Sequence, residues 1–215
     1  MSAGRIVRRS LLTGPLVLIA SPAIALAIYK PSRVLVPQWF GVTCDRDGIC
    51  LDDIARLDET RGLRREGLAI VSQALGAPRA VPRMVFCATT ACSDRFGMPG
   101  AAAYNVGTVG MVVKPRGWTP YYVAHELIHH VQNERLGSLT MHLFRPVWWR
   151  EGMAYELSGD PRDPIPVPVI ECWRAQFRVW FAHRPPSDLW HGEVPDVMDA
   201  GASPHCKAGT SPPSS

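Results

Sequence analysis

His125 and His129 stand four residues apart in His125-Glu126-Leu127-Ile128-His129. On a helix that spacing puts both imidazoles on one face, about one turn apart. Two neutral imidazoles so placed can bind one divalent metal ion. Glu126 then reaches a metal-bound water rather than the metal itself. Zinc lowers the pKa of such a water to about 7, so a carboxylate can take its proton at neutral pH. These residue types suit attack on a carbonyl carbon. Two ligands are too few, because a catalytic zinc usually takes three from the protein and keeps a fourth position open. Glu151, 22 positions after His129, is the candidate third ligand. The gap lets the chain leave one helix, turn and bring a second helix back against it.

The elements that must position these residues follow from breakers, caps and periodicity. Residues 121–136 contain neither Gly nor Pro. Thr119 is a suitable N-cap, Pro120 a suitable first helical residue and Gly137 a suitable end. Residues 148–157 read as the second helix, and 171–183 as a last one with Trp173, Phe177, Trp180 and Phe181 on an apolar face. Upstream, residues 52–76 read as a helix capped by Asp52 or Asp53, with Gly62 and Gly67 as weak points. Residues 81–87 are strand-like and 92–100 loop-like. Residues 101–114 hold two short strands, or one interrupted by Gly107 and Gly110. Residues 138–147 form a connection or short helix, and Asp160 to Pro168 is a Pro-rich loop.

The 215-residue chain suits one domain with flanking segments: 1–30 as a signal peptide or anchor, 31–184 as the folded body and 185–215 as a Pro-, Ser- and Gly-rich tail, loosely ordered except where Cys206 is tied down. Within the body, 31–50 reads as a short linker tied by a disulfide. Arg5, Arg8 and Arg9 precede an apolar run over residues 11–29, close to the roughly 20 residues that span a bilayer. A cleaved signal peptide and a retained anchor both fit; the apolar character continues past the candidate cleavage sites, which favours the anchor. Either places the body outside the cytoplasm, in the periplasm or cell envelope. Those three arginines carry most of the formal charge of +4 and leave +1 for the remainder, which gives no footprint for nucleic acid. The six cysteines agree with an oxidising compartment. Close spacing suggests Cys44–Cys50 and Cys87–Cys92, leaving Cys172–Cys206 out of fifteen possible connectivities.

The stretch from Tyr121 to Gly159, less than a fifth of the chain, joins the His-Glu-x-x-His motif to Trp148-Trp149-Arg150-Glu151-Gly152-Met153-Ala154. In this it resembles the gluzincin metallopeptidases, which include the thermolysin-like enzymes and the M1 aminopeptidases. The resemblance implies an α+β, zincin-like domain: a small mixed sheet, with an active-site helix packed on a Glu-bearing helix. It implies zinc held by His125, His129 and Glu151, with Glu126 as general base. It also implies a sheet-edge strand that pairs with an extended substrate, expected over residues 109–113 (Val109, Met111, Val113). Relatives often carry a Tyr five residues after the ligand Glu. Here Glu156 stands at that position and Tyr155 at four. Tyr155 is thus a candidate oxyanion donor, and Glu156 a candidate for orienting a ligand histidine.

The remaining histidines, among them His130, His142, His183, His191 and His205, suit surface or structural roles, while Tyr104 and Arg150 are candidates for lining a cleft. The expectation is a monomeric zinc metallopeptidase that cuts peptide or protein substrates and is membrane-bound through its N-terminal segment. Its rivals are a zinc-stabilised envelope scaffold or binding module, and a zinc amide hydrolase acting on cell-wall material.

Overall fold

A computed structural model of the chain describes residues 26–97 and 100–196. Five short strands form one mixed sheet: β1 (Thr43–Cys44), β2 (Ile49–Leu51), β3 (Arg83–Phe86), β4 (Ala103–Val106) and β5 (Gly110–Val113). Their order is β1-β2-β3-β5-β4. The central strands β2, β3 and β5 are parallel, and β1 and β4 close the sheet as antiparallel edges. The central strands are buried on both faces, so they read as continuous apolar runs rather than as alternation.

Strand periodicity still sorts their side chains into two cores. Ile49, Leu51, Met84, Phe86, Met111 and Val113 face the helices. Cys50, Val85 and Val112 face the other way, with Val34, Val42, Cys87, Cys92 and Phe96. The second face is covered by two 3-10 turns (Lys30–Leu35 and Pro37–Phe40) and by the short helix α2 (Thr90–Arg95). Residues 31–50, expected as a linker, are therefore one layer and one edge of the domain. Residues 92–95, expected as loop, belong to α2, because Thr89 caps it through the Cys92 N–H.

Both close-spaced disulfides form as expected: Cys44–Cys50 and Cys87–Cys92. Cys172 is also disulfide-bonded, and Cys206 lies outside the described residues. Disulfides fit an extracytoplasmic location. No described helix is long and apolar enough to cross a membrane. Most of the predicted anchor, residues 11–25, lies outside the described residues.

The helical layer contains α1 (Leu57–Leu75), α3 (Pro120–Leu136), α4 (Ser138–Phe144), α5 (Val147–Leu157), α6 (Pro168–Phe181) and α7 (Asp188–His191). Gly67 does not break α1. A Cβ there would sit 2.7 Å from Val123 Cγ1, so the missing side chain is what lets α1 and α3 approach. Leu127, Ile128, Trp149, Met153 and Phe177 are fully buried in this core; each such Leu, Ile, Met or Phe contributes about 1.5–3 kcal/mol. The segment after Pro185 starts as part of the body. Leu189 is buried, Trp180 Nε1 donates to Glu193 O and Trp148 Nε1 donates to Pro195 O.

Candidate metal centre

The first site helix, α3, begins where the sequence places it. Thr119 Oγ1 accepts from the Tyr122 N–H, Pro120 is in the first turn, and Gly137 follows the last residue at φ 81°. One face of α3 packs on the sheet and α1, and the next carries His125, Glu126 and His129 into a cleft. The second site helix, α5, lies against α3 and is backed by α6. Gly152 is needed for that backing. A Cβ would fall 2.3 Å from Trp173 O and 2.7 Å from Phe177 Cβ, so any side chain there would push α5 away from α6.

The two helices bring together His125, His129 and Glu151, a group that could hold a metal ion. His125 Nε2 and His129 Nε2 are 3.2 Å apart. Glu151 Oε2 is 3.6 Å from the first and 3.5 Å from the second. Burial acts against charge on His129 and Glu151. It would lower His129, but the Glu151 carboxylate, then Glu126 and Gln132, outweigh it and push that imidazole up to about 9. It would raise Glu151, yet the nearby imidazoles, His129 foremost, hold the carboxyl well below its ordinary range. Glu151 thus faces both imidazoles at ion-pair distance.

Glu126 is buried beside them. Burial pushes its carboxyl up, and the charges of His125 and His129 pull it partly back, helped by the backbone N–H of Asn105 on β4. Tyr155, one turn beyond Glu151 on α5, packs its ring on His125 with centroids 4.4 Å apart. Burial, then the charges of Glu151 and Glu126, raises its hydroxyl pKa. Tyr155 thus faces the group as its spacing from Glu151 implies.

Two expectations are corrected. Val109–Val113 is not the edge strand: β5 lies between β3 and β4 and is buried throughout, because its all-apolar sequence suits a strand covered on both faces. The edge is β4. Lys114 N donates to Ala102 O across the hairpin, so ladder alternation turns the backbone groups of Ala103 and Asn105 outward. Glu156 does not orient a histidine. It takes Arg178 of α6 as a two-pronged partner, both contacts at 2.9 Å, because helix geometry turns it away from the face that carries Glu151.

Gln132 does what Glu156 was expected to do. It is fully buried. Its Oε1 lies 2.8 Å from His129 Nδ1, so a His129 Nδ1–H would donate to it and leave Nε2 free as a ligand. Its Nε2 donates to Arg150 O at 3.0 Å and contacts Met153 Sδ at 3.3 Å, linking α3 to α5. The signal was available, since Gln132 is three residues after His129 on a helix. Asn133 was missed as well: it donates to His129 O at 2.7 Å and to Asn105 Oδ1 at 3.4 Å.

A cleft of about 790 Å³ surrounds the group. Its walls include residues 100–105 of the β4 segment, Tyr121, Tyr122 and Arg150. Tyr104 contributes to the wall, but its hydroxyl donates to Phe96 O on the far face of the sheet. The Pro-rich loop supplies Arg162, Ile165 and Val167. It is held by α6, where Arg174 donates to Arg162 O and to Asp163, and Glu171 accepts from the Ile165 N–H. No local pattern announced this loop as part of the site. His142 also lines the cleft. His130 does not: it contacts Ala80 O at 2.8 Å and Glu134 Oε1 at 3.1 Å. Comparison of the chain with protein-family models, with curated proteins and with solved structures finds no match.

Proposed function

We propose that this chain is a zinc-dependent metallopeptidase of zincin-like fold that acts outside the cytoplasm. The observation that carries this reading is the ligand triangle. Its sides are 3.2, 3.5 and 3.6 Å. Tetrahedral zinc with ligands at about 2.0–2.2 Å requires sides of roughly 3.3–3.6 Å. Two imidazoles and one carboxylate are also a set that zinc favours in catalytic sites. Among the described residues the group has three members, which suits an open fourth position better than the closed set of four usual in a structural site.

A zinc ion held there would supply Lewis acidity and make water acidic enough to lose a proton near pH 7. The residues of the chain do the rest. Glu126, raised by burial, accepts that proton and hands it to the leaving amine. Tyr155 donates its hydroxyl to the oxygen that gains charge at the attacked carbonyl. Gln132 keeps His129 oriented. The outward N–H and C=O groups of Ala103, together with the Asn105 C=O, offer an extended peptide a strand to pair with, while the Asn105 N–H steadies Glu126.

Metal analysis together with a quenched-fluorescence peptide library tests the proposal. The parent protein is expected to hold one zinc and to cut peptides. Glu151→Ala should lose the zinc. Glu126→Gln should keep it and cut about a hundred- to ten-thousandfold more slowly. Equal zinc in the parent and in Glu151→Ala, or full turnover by Glu126→Gln, would overturn the reading.

A further inference from the structure

The cleft has two unlike ends. Along α3, Tyr122 and Asn133 mark them, eleven residues or about 16 Å apart, with His125 to His129 midway. That length holds about five extended residues, some on each side of the bond to be cut. Beyond His125, Tyr121, Tyr122, Ile165 and Val167 make an apolar, aromatic end. Beyond His129 the wall is polar and includes Arg150, whose carbonyl is fastened to Gln132.

Charge at the polar end does not balance. Glu126 and Glu151 are the acids of the cleft wall, and a divalent cation would neutralise both. Of the wall arginines, Arg162 is spent on Asp160 and Arg116 is exposed to solvent. Arg150 has no acidic partner among the described residues, and its Nε is buried without a hydrogen bond. A guanidinium at a cleft wall with one buried, unbonded N–H has donors to spare, and the geometry that satisfies them best is a carboxylate.

We propose that Arg150 receives a carboxylate of the substrate. The substrate is then a peptide with an apolar or aromatic side chain on the Tyr122 side of the scissile bond. On the Gln132 side it carries a carboxylate, either an Asp or Glu side chain or the chain terminus. Naming the two sides of the bond rests on the metallopeptidase reading; the carboxylate site rests only on the bound cation and not on peptide cleavage, so binding is the readout.

Three probes distinguish the sources: an N-acetylated hexapeptide amide with one central glutamate, its glutamine counterpart, and that counterpart with a free terminal carboxylate. Each is titrated calorimetrically into the zinc-loaded full chain carrying Glu126→Gln, with and without Arg150→Gln or Arg150→Lys. At least one carboxylate probe should bind about tenfold tighter than the neutral amide. Which one does so identifies side chain or terminus. The preference should vanish in Arg150→Gln and persist in part in Arg150→Lys, and matched melting temperatures would exclude a folding defect. Equal binding of all three probes, failure of all three to bind, or a preference that survives Arg150→Gln, overturns the proposal. Separately, acidic probes that bind through Arg150 in a protein whose parent cuts no peptide would remove the peptidase reading and keep this one. A parent that cuts acidic and neutral peptides alike, unchanged by Arg150→Gln, would do the reverse.

Discussion

The two faces of the sheet are stabilised in different ways. The helix-bearing face buries Trp149, Phe177, Met153, Leu127 and Ile128 in one large core, and it carries the candidate metal group. The opposite face is thin. Among the described residues, two 3-10 turns and a six-residue helix cover it, and its core is eight buried residues. Three of those are cysteines, held in the Cys44–Cys50 and Cys87–Cys92 disulfides. A layer with too little apolar surface to hold itself is cross-linked instead. The thin layer thus leans on covalent reinforcement, with two disulfides tying it, while close packing shapes the helical side, where Cys172 of α6 adds a further disulfide.

The largest expected effect breaks the helical side. Gly152→Ala sets a Cβ against Trp173 O and should cost about 3 kcal/mol. Calorimetric melting would show the loss, and zinc content should fall with it because Glu151 is the preceding residue. Replacing Cys87 and Cys92 together by Ser tests the other side. A five-residue separation gives a chain-entropy contribution of about 2 kcal/mol. The melting point should drop while zinc stoichiometry stays unchanged. If zinc is lost as well, the separation of the two faces is wrong.

Gln132→Ala removes the partner of His129 Nδ1 and should weaken zinc affinity about tenfold or more, measured by chelator competition. The smallest effect concerns acid. The Glu134 carboxylate joins α3 to the segment before β3 through the N–H groups of Arg79 and Ala80, both at 2.9 Å. Burial would raise its pKa; those N–H groups, and then His130, lower it overall. A depressed carboxyl contributes stability above its unfolded value, about 4.3, and loses it as pH falls through the lower folded value. Glu134→Gln should therefore melt earlier than the parent at pH 6, and the gap should close as pH falls below about 4.

The helices were legible because their signals are local. Thr119, Pro120 and Gly137 bound α3 as read, and the second and last site helices differ from expectation mainly at their starts. Helical spacing, counted along the chain, pairs His125 with His129 and Glu151 with Tyr155; that the two helices meet was implied by the resemblance rather than by spacing. What could not be counted depended on partners distant in sequence. Strand order decides which strand is the edge, and four apolar residues at 110–113 cannot say whether a neighbour lies beyond them. Glu156 was given a role by its distance from Glu151, but its partner Arg178 is on a helix whose packing only tertiary structure sets. The Pro-rich loop reaches the cleft because Arg174 and Glu171 hold it there, and nothing within residues 160–168 reports that.

Strand β4 faces both sides at once. Asn105 lines the cleft beside the candidate metal group, and its neighbour Tyr104 reaches through to Phe96 O. Because side chains alternate, removing or adding one residue in the hairpin at 107–109 would not shift the site slightly. It would exchange the two neighbours and turn a tyrosine ring into the cleft. The hairpin thus behaves like a parity bit: errors of one residue invert the message, and errors of two leave it readable.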